Sequence, residues 1–470
     1  MNETKLIHDG SRVSNGMPRW HVIIALAAAF CTTGAQGATI FVDPSTNLFQ
    51  VKQAAQAGDT IFAYPGLYTT GVTNLLKNRV DWFFLPGAVV SNYNSSAATT
   101  PPGIFDNSIL GDQSTMTCRV GGYGTFIQVG GGQELGIIGL IRVDNASSDI
   151  AIECDKILIT GDSSTFFACV VFEAGKFTLN VREEINSCYG LNEIGGVSNS
   201  GGVWWANGKG AVRSPRIFTG VQSALYGLGT TAASWDISVE RLHSTNGPAV
   251  LFEPTHVDNK CWLTCNEAIG GSDAIARGMA VSQNGGKLYV RAQKLSSWDG
   301  IGNPVIGQDG GQLWVTANKV TTTNASPWLK QSAGRSWIRV DQWEDVGSGA
   351  NTRPYSFLLS GGTNSLLGSS EALNLWGPGY KITGGEAYLR DIKINCTAAQ
   401  KTNAPVWIAG GSMVLKSCQL TSIPNGSTSS VLSIGPFNCR VIGATLASTN
   451  VAPGVTQLGS IIAVNGNYDR

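Results

Sequence analysis

Two segments of the chain align with each other without a gap, 25 residues apart. One runs from Gly285 to Leu295 (G-G-K-L-Y-V-R-A-Q-K-L) and the other from Gly310 to Val320 (G-G-Q-L-W-V-T-A-N-K-V). Both contain the same six-residue pattern: an apolar residue, any residue, a small residue, any residue, a polar residue and an apolar residue. A repeat of this length with one strand-like core indicates a solenoid, in which each coil buries its apolar face against the next coil.

The six-residue pattern recurs along most of the chain. From position 212 onward, successive copies begin 22 to 29 residues apart, and a weaker copy near Leu179 partly fills the gap between 152 and 212. The blades of a β-propeller would repeat every ~40–50 residues, so these intervals favour a solenoid over a propeller. The copies begin at Ile152, Val212, Ile237, Leu263, Val290, Val315, Ile338, Leu367, Leu389, Leu415 and Val441.

The fold that we predict is all-β: a single-stranded right-handed parallel β-helix of about 25 residues per coil, with a short N-terminal capping helix. The right hand follows from the strong preference of crossover connections between parallel strands. Alternate residues of a strand point to the same side, so the first and third residues of each copy should point inward. A bend before the sixth residue would turn that one inward too, and the preceding glycines would give the corner its backbone freedom.

Four segments are predicted along the chain. Residues 1–37 form a signal peptide or leader, because Arg19 precedes a short apolar run that ends in small residues; a buried apolar N-terminus is the alternative. Residues 38–60 form the N-terminal cap, 61–450 the β-helix, and 451–470 a C-terminal cap or assembly tail. The leader predicts a secreted or extracellular protein, with a virion tail or surface as the alternative. No membrane span is expected after leader removal.

The predicted cap contains a short helix within residues 47–57. Phe49, Val51, Ala54 and Ala55 would form its apolar side, and the glycine that follows would end it. Such a helix would cover the open edge of the first coil, which would otherwise invite aggregation.

The ten cysteines do not follow the spacing of a zinc site, since the chain has no C-x-x-C. Cys261 and Cys265 would lie about 13 Å apart on one strand, too far for a disulfide. We therefore predict that most cysteines fill the interior as small apolar residues, with disulfides as the alternative.

Three motifs near the N-terminus resemble a known family. They are A-G-D-T-I-F-A-Y-P-G-L-Y at Ala57–Tyr68, F-F-L-P-G-A-V-V at Phe83–Val90 and G-Y-G-T-F-I at Gly122–Ile127. They resemble the opening of the pectate-lyase-like right-handed parallel β-helix superfamily, in its secreted bacterial or phage-associated members. The resemblance implies a capping helix followed by the first coils. It implies little about activity, because this scaffold hosts lyases, hydrolases, adhesins and tail spikes.

The resemblance also implies where catalytic chemistry would be sought. Lyases of the superfamily use acidic calcium ligands and an arginine base, and polygalacturonase-like hydrolases use an aspartate trio, a His-Gly and an Arg-x-Lys. This chain has no Asp-Asp, His-Gly or Arg-x-Lys, which counts against the hydrolases. Calcium is the expected cofactor only if the protein is a lyase, and otherwise no cofactor or metal is predicted.

Paired carboxylates about 5–10 Å apart could still cleave a glycosidic bond, and equivalent positions of neighbouring coils would offer such a spacing. The candidates are weak, because solvated turns and an outward polar edge explain the same residues. They are Asp299, Asp309, Asp341, Glu344 and Asp345.

Aromatic residues are the candidates for carbohydrate binding. Four of them occupy equivalent repeat positions beside an inward apolar residue: Tyr289, Trp314, Trp337 and Tyr388. Trp343 is a further candidate outside this repeat position. An outward row of such rings could stack on sugars, because aromatic rings with a polar tip suit wet surfaces. The alternative is that the rings pack beneath loops.

Charge and composition narrow the function. The chain has 32 lysines and arginines and 32 aspartates and glutamates, which is no electrostatic signature for nucleic acid. We predict a non-enzymatic, extracellular or virion-associated structural or adhesive β-helix that binds a polysaccharide or cell-surface glycan, with self-assembly a further expectation. The alternative is a polysaccharide lyase or glycoside hydrolase on the same scaffold.

Overall fold

The computed structural model describes residues 37–71, 74–93, 103–106, 116–129, 139–160, 168–189, 201–220, 223–272, 278–299, 303–322, 326–345, 355–368, 373–375, 379–396, 406–422, 432–434, 438–443, 445–447 and 461–464. Within them the protein is all-β apart from one helix, and its strands stack in parallel into a solenoid of about 26 residues per turn. This confirms the predicted β-helix and its period. The predicted leader lies outside the described residues except for its last position.

The strands are short at the N-terminal end and merge into longer, bent strands in the middle. They are Thr39–Val42, Thr60–Ala63, Gly66–Gly71, Asp81–Phe84, Ala88–Tyr93, Phe105–Asp106, Thr117–Gly122, Thr125–Val129, Gly139–Val143, Asp149–Thr160, Ala168–Phe172, Lys176–Tyr189, Gly201–Trp205, Gly208–Thr219, Leu225–Gly227, Ala233–Ser244, Val250–Phe252, Lys260–Ser272, Val281–Asp299, Ile306–Thr322, Leu329–Gln331, Arg335–Asp345, Phe357–Leu359, Thr363–Leu367, Leu373–Leu375, Tyr380–Arg390, Lys393–Cys396, Val406–Lys416, Gln419–Ser422, Leu432–Ile434, Asn438–Ile442, Thr445–Ala447 and Ile461–Val464.

Each full coil has three faces, which the coil in the middle of the chain illustrates. The first face contains the strand Val250–Phe252 and the strands stacked on it. The second and third faces contain residues 260–265 and 267–272, which are the two halves of one bent strand, and their stacked equivalents. Near the C-terminus the equivalents of the third face form a separate four-stranded sheet.

The inward row of the second face confirms the predicted register at every copy except one. The pairing places Leu366, not Leu367, between Ile338 and Leu389. Leu367 points outward and is 38% exposed, whereas Leu366 is buried. The predicted register was off by one residue here because Leu366 and Leu367 are adjacent and the sequence pattern pointed to the second. The paired row is Ile40, Ile61, Trp82, Val120, Ile152, Leu179, Val212, Ile237, Leu263, Val290, Val315, Ile338, Leu366, Leu389, Leu415, Val441 and Ala463.

The predicted bend is present between the second and third faces. In the coils between Gly208 and Asp345 the ladder of paired residues skips one residue there, for example Asn266, Gln293 and Asn318. The side chains of these residues are exposed. The skipped residue rotates the chain by one position, so that the sixth residue of the pattern, such as Leu295, is buried like the first and third.

A glycine corner joins the first face to the second. Gly286, Gly311 and Gly334 have φ of 54°, 70° and 77°, a left-handed conformation that side chains with a Cβ disfavour. These corners stack closely, since a Cβ added to Gly334 would lie 2.5 Å from the carbonyl oxygen of Gly311. The glycines of the repeat are therefore required by conformation and by space, as the sequence predicted.

A buried glutamine supports this corner from inside in three successive coils. Gln283, Gln308 and Gln331 are stacked in register and almost fully buried. The Nε2 atom of Gln308 donates to the carbonyl oxygens of Gly310 at 3.2 Å and Gly311 at 3.3 Å, within its own corner. It also donates to the carbonyl oxygen of Arg335 at 3.0 Å, in the next coil. The row thus satisfies buried backbone carbonyls and connects neighbouring coils.

The helix is confirmed at Leu48–Ala54, and the side chain of Asn47 accepts a hydrogen bond from the backbone of its first turn at 3.2 Å. Its buried side differs in part from the predicted one. Of the predicted residues, Ala55 is buried and Val51 packs against the core, whereas Phe49 is 37% exposed and Ala54 is exposed. Leu48 and Lys52 are buried in addition. The Lys52 ammonium is accommodated because it donates to the carbonyl oxygen of Asn74 at 2.7 Å.

The stacking extends further at both ends than the predicted segment boundaries. Thr39–Val42 already pairs in parallel with Thr60–Ala63, so the solenoid begins inside the segment expected to be a cap. Ile461–Val464 pairs with residues 439–442, so the expected tail carries at least one more strand. None of the described helical segments is long and apolar enough to cross a membrane.

Cysteines contribute to the interior, as the sequence predicted. Those whose side chains the structure describes are buried and free of disulfides: Cys118, Cys154, Cys169, Cys261, Cys265, Cys418 and Cys439.

Candidate functional site

Four aromatic side chains form a continuous stack on the outside of the second face. Trp262, Tyr289, Trp314 and Trp337 pair in register in consecutive coils, and we call them the aromatic row. Their ring centroids lie 5.4, 4.4 and 4.7 Å apart, with interplanar angles of 8°, 10° and 7°. Tyr388 lies two coils beyond Trp337 in the same register.

The stack limits which ring faces a ligand can reach. Nearly parallel rings at these centroid distances cover each other's faces, so Tyr289 and Trp314 present only their edges to solvent and are half-buried. The end members are more open, with Trp262 41% and Trp337 37% exposed. A sugar that stacks on a ring face can therefore be received at the ends of the row but not along its middle.

Sequence reasoning missed Trp262 and included Trp343 wrongly in this set. Trp262 directly precedes the inward Leu263, as Tyr289 precedes Val290, so the signal was present in the repeat. Trp343 pairs with Val320 in the inward row of the third face and contacts Trp328 and Phe357 at centroid distances of 5.4 and 4.9 Å. Its ring belongs to the core rather than to the outer surface.

Cationic side chains flank the aromatic row. Arg335 and Arg339 lie two residues before and after Trp337 on the same strand, and Arg291 lies two residues after Tyr289. All three are exposed, and in the described part of the chain no carboxylate pairs with their guanidinium groups. Lys287, by contrast, forms a 2.9 Å ion pair with Asp258.

The three predicted carboxylates whose side chains the structure describes lie at separate places. Asp309 lies at the end of the first face, where the Ser332 hydroxyl donates to its Oδ1 at 2.5 Å. Asp341 is at the bend between the second and third faces and is exposed. Glu344 lies on the third face in a 2.6 Å ion pair with Lys319. Asp299 and Asp345 end third-face segments, and their side chains lie outside the described part of the structure.

A different acidic cluster lies on the first face, and the sequence did not indicate it. Arg142 donates from Nε to Glu173 Oε1 at 3.0 Å, and its Nη2 lies 2.9 Å from the same oxygen. Asp106 pairs with Arg142 in the strand register and is buried. Asp144 follows two residues after Arg142. Burial raises the pKa of Asp144, Arg142 opposes that shift, and the negative charges of Glu173 and Asp106 add to it.

The cluster has aromatic neighbours on the same face. The outward position of Arg142 is followed in successive coils by Val171, Trp204 and Tyr226, and the Tyr226 hydroxyl lies 3.5 Å from Glu253 Oε2. A carboxyl group with a raised pKa and a second carboxylate near it are what acid–base cleavage of a glycoside requires.

The described residues contain no group of three or more His, Cys, Asp or Glu side chains placed to hold a metal ion. The calcium ligands that the lyase alternative implies are thus not assembled in this part of the chain, and no step of chemistry is assigned to calcium.

Comparison with known proteins adds no relative: no family model, curated protein or solved structure matches the chain. The assignment as a parallel β-helix therefore rests on the strand pairing itself.

Proposed function

We propose that the protein is a structural or adhesive β-helix, extracellular or virion-associated, that binds glycan on the outer surface of its second face. The observation that supports this most is the aromatic row, which has exposed rings at its ends. On both sides it has arginines for which the described residues offer no carboxylate partner. Aromatic and cationic side chains in a solvent-exposed line suit a hydroxylated, charged ligand better than an apolar one. We also propose membership of the pectate-lyase-like superfamily, on the N-terminal motifs and the fold.

The test is glycan binding by the purified protein and by a surface variant. Trp337→Ala combined with Tyr388→Ala removes the open rings near the C-terminal end of the row. Binding to a panel of plant, bacterial and animal polysaccharides should weaken at least about tenfold, equal to 1.4 kcal/mol. The matched control is Trp298→Ala, which removes a 62% exposed ring from the third face. A panel that the wild-type protein fails to bind, or equal binding by both variants, would contradict the proposal.

The Asp144 cluster favours a second candidate, a glycoside-cleaving enzyme. In it Asp144, whose pKa is raised by burial, would donate a proton to the glycosidic oxygen. Glu173, which accepts from Arg142 at 3.0 Å, would act as base or nucleophile. The sites lie on different faces, so the two candidates can be tested separately.

The enzyme candidate predicts release of reducing or unsaturated ends from a bound polysaccharide. Asp144→Asn and Glu173→Gln should each reduce turnover at least about 100-fold, the usual range for loss of an acid or base. Asp236→Asn is the control, because Asp236 is an exposed carboxylate in an ion pair with Arg213. Turnover that survives both cluster variants would exclude this site, and absence of turnover on every bound glycan would exclude the activity.

A further inference from the structure

The aromatic row ends at Trp337, and one coil with a small residue separates it from the next aromatic side chain in the same register, Tyr388. Ser365 occupies the register position between Trp337 and Tyr388. One face of the Trp337 ring is stacked on Trp314 at 4.7 Å, so its other face is directed toward the coil of Ser365. Trp337 and Tyr388 are 37% and 42% exposed. The small serine side chain thus leaves the register position between the Trp337 and Tyr388 side chains unfilled by a ring, and we call this position the slot and the two aromatic side chains its walls.

The width of the slot follows from the strand spacing. The coils of Trp337 and Tyr388 are two strand spacings apart, which is about 9.6 Å. Carbon atoms in contact lie about 3.5–4.0 Å apart, so the atoms of an inserted ring can span about 2 Å in thickness. That is enough for one puckered pyranose ring and too little for two stacked rings.

The rim of the slot is predominantly cationic. Arg335 and Arg339 flank Trp337, and Arg390 follows Tyr388 by two residues, although it is paired with Asp391 at 3.0 Å. Glu386 is the one described carboxylate beside the aromatic walls, and its Oε2 lies 3.4 Å from the Tyr388 hydroxyl. Because no carboxylate in the described ranges pairs with Arg335 or Arg339, the charge at the slot complements an anionic ligand.

The orientation of the walls sets the direction of the ligand. The ring planes of the row are stacked along the rod axis, so a sugar between them lies with its plane parallel to the strands. Its linked neighbours then extend across the second face, toward Arg335 on one side and toward Arg339 and the 38% exposed Leu367 on the other. A glycan bound in this way crosses the rod rather than running along it.

We propose that the slot over Ser365 binds one ring of an acidic polysaccharide, stacked between Trp337 and Tyr388, while carboxylate or sulfate groups of the adjoining residues bind Arg335 and Arg339. This inference rests on the proposed glycan-binding function and names its subsite and ligand class.

Filling the slot tests the inference without weakening the fold. Ser365→Tyr places a ring between Trp337 and Tyr388 and extends the stack, so the variant should unfold at the same or higher denaturant concentration than the wild type. Its affinity for a uronic-acid hexasaccharide, measured by calorimetry, should fall at least about tenfold. Ser238→Tyr is the control, because it adds the same ring to an outward position of the same face, four coils before Arg339.

The ligand class is tested with matched probes. The wild-type protein should bind the uronic-acid hexasaccharide and a sulfated hexasaccharide at least about tenfold more tightly than the carboxyl-reduced form of the first. Arg335→Gln combined with Arg339→Gln should abolish this preference. The ranking of the two acidic probes shows which anionic group is preferred.

The outcomes separate this inference from the function on which it rests. Unchanged binding by Ser365→Tyr, or equal affinity for the acidic and reduced probes, overturns the slot while glycan binding elsewhere on the face stands. A wild-type protein that binds no glycan overturns both.

Discussion

Replacing Gln308 by leucine tests how the interior corner is stabilised. Leucine is similar in volume and has no donor, so the carbonyl oxygens of Gly310, Gly311 and Arg335 lose the amide that they now share. The two amide hydrogens make about two net hydrogen bonds, and a buried acceptor left unpaired costs about 1–3 kcal/mol. Removing Oε1, for which the described residues offer no hydrogen-bond partner, offsets part of that cost. We therefore expect a loss of about 2–3 kcal/mol.

The loss can be measured both globally and at the corner. A stacked array need not unfold in two states, so a denaturant titration followed by tryptophan fluorescence should be accompanied by hydrogen exchange. Amides of residues 306–312 and of the neighbouring corner at 331–335 should lose protection first. Gln312→Leu is the control, since Gln312 lies on the outer, half-buried side and should stay within about 0.5 kcal/mol. A Gln308→Leu protein as stable as this control would refute the role of the glutamine row.

Three further predictions concern the aromatic row, the corner and the buried thiols. Trp314→Ala should lower stability by about 1–3 kcal/mol in a denaturant titration, because both ring faces lose a stacked neighbour worth about 0.5–1.5 kcal/mol each. A loss no larger than that of Trp298→Ala would argue against stacking. Gly334→Ala should lower stability by at least about 2 kcal/mol, since φ is 77° and the added Cβ would lie 2.5 Å from the Gly311 carbonyl oxygen. The control Gly310→Ala, whose Cβ would have its nearest contact at 3.1 Å, should lower stability less. Equal losses for the two variants would contradict the corner argument. Burial, and to a lesser extent the charge of Glu267, raises the pKa of the Cys265 thiol from 9.0 to about 12. The neutral thiol therefore contributes its full share of stability below pH 9. That contribution should fall between pH 9 and pH 12, by at most about 1.4 kcal/mol per pH unit. Cys265→Ala, matching Ala292 in the next coil, should reduce that alkaline slope, and an identical slope would show that the thiol does not titrate with unfolding.

The fold was predictable because the second face repeats one pattern that physical packing preserves in every coil. Positions such as Val290 and Ala292 must be apolar and small in each coil, since they meet the same positions above and below. The first face has no comparable signal. Its strands are often three residues long, as in Val250–Phe252, and three residues are too few to show a period.

The two candidate sites were hidden for related reasons. Asp144 and Glu173 lie beside first-face strands, where the sequence offered no register to bring them together. The slot was hidden by the one-residue slip at Leu367, because only the register through Leu366 places Ser365 between Trp337 and Tyr388. The structure places the predicted aromatic residues in one outward register where the repeat is regular. It places Trp343 in the inward row of the third face, because the bend turns that side chain inward.

The gapless match between the coils that begin at Gly285 and Gly310 has a consequence for how such a molecule changes over evolutionary time. Each of these coils offers the same kinds of position to the coil before it and to the coil after it. A duplication or deletion of one whole coil would therefore leave every remaining interface chemically similar. The length of the molecule can change in steps of one strand spacing, about 4.8 Å, while its cross-section is inherited unchanged.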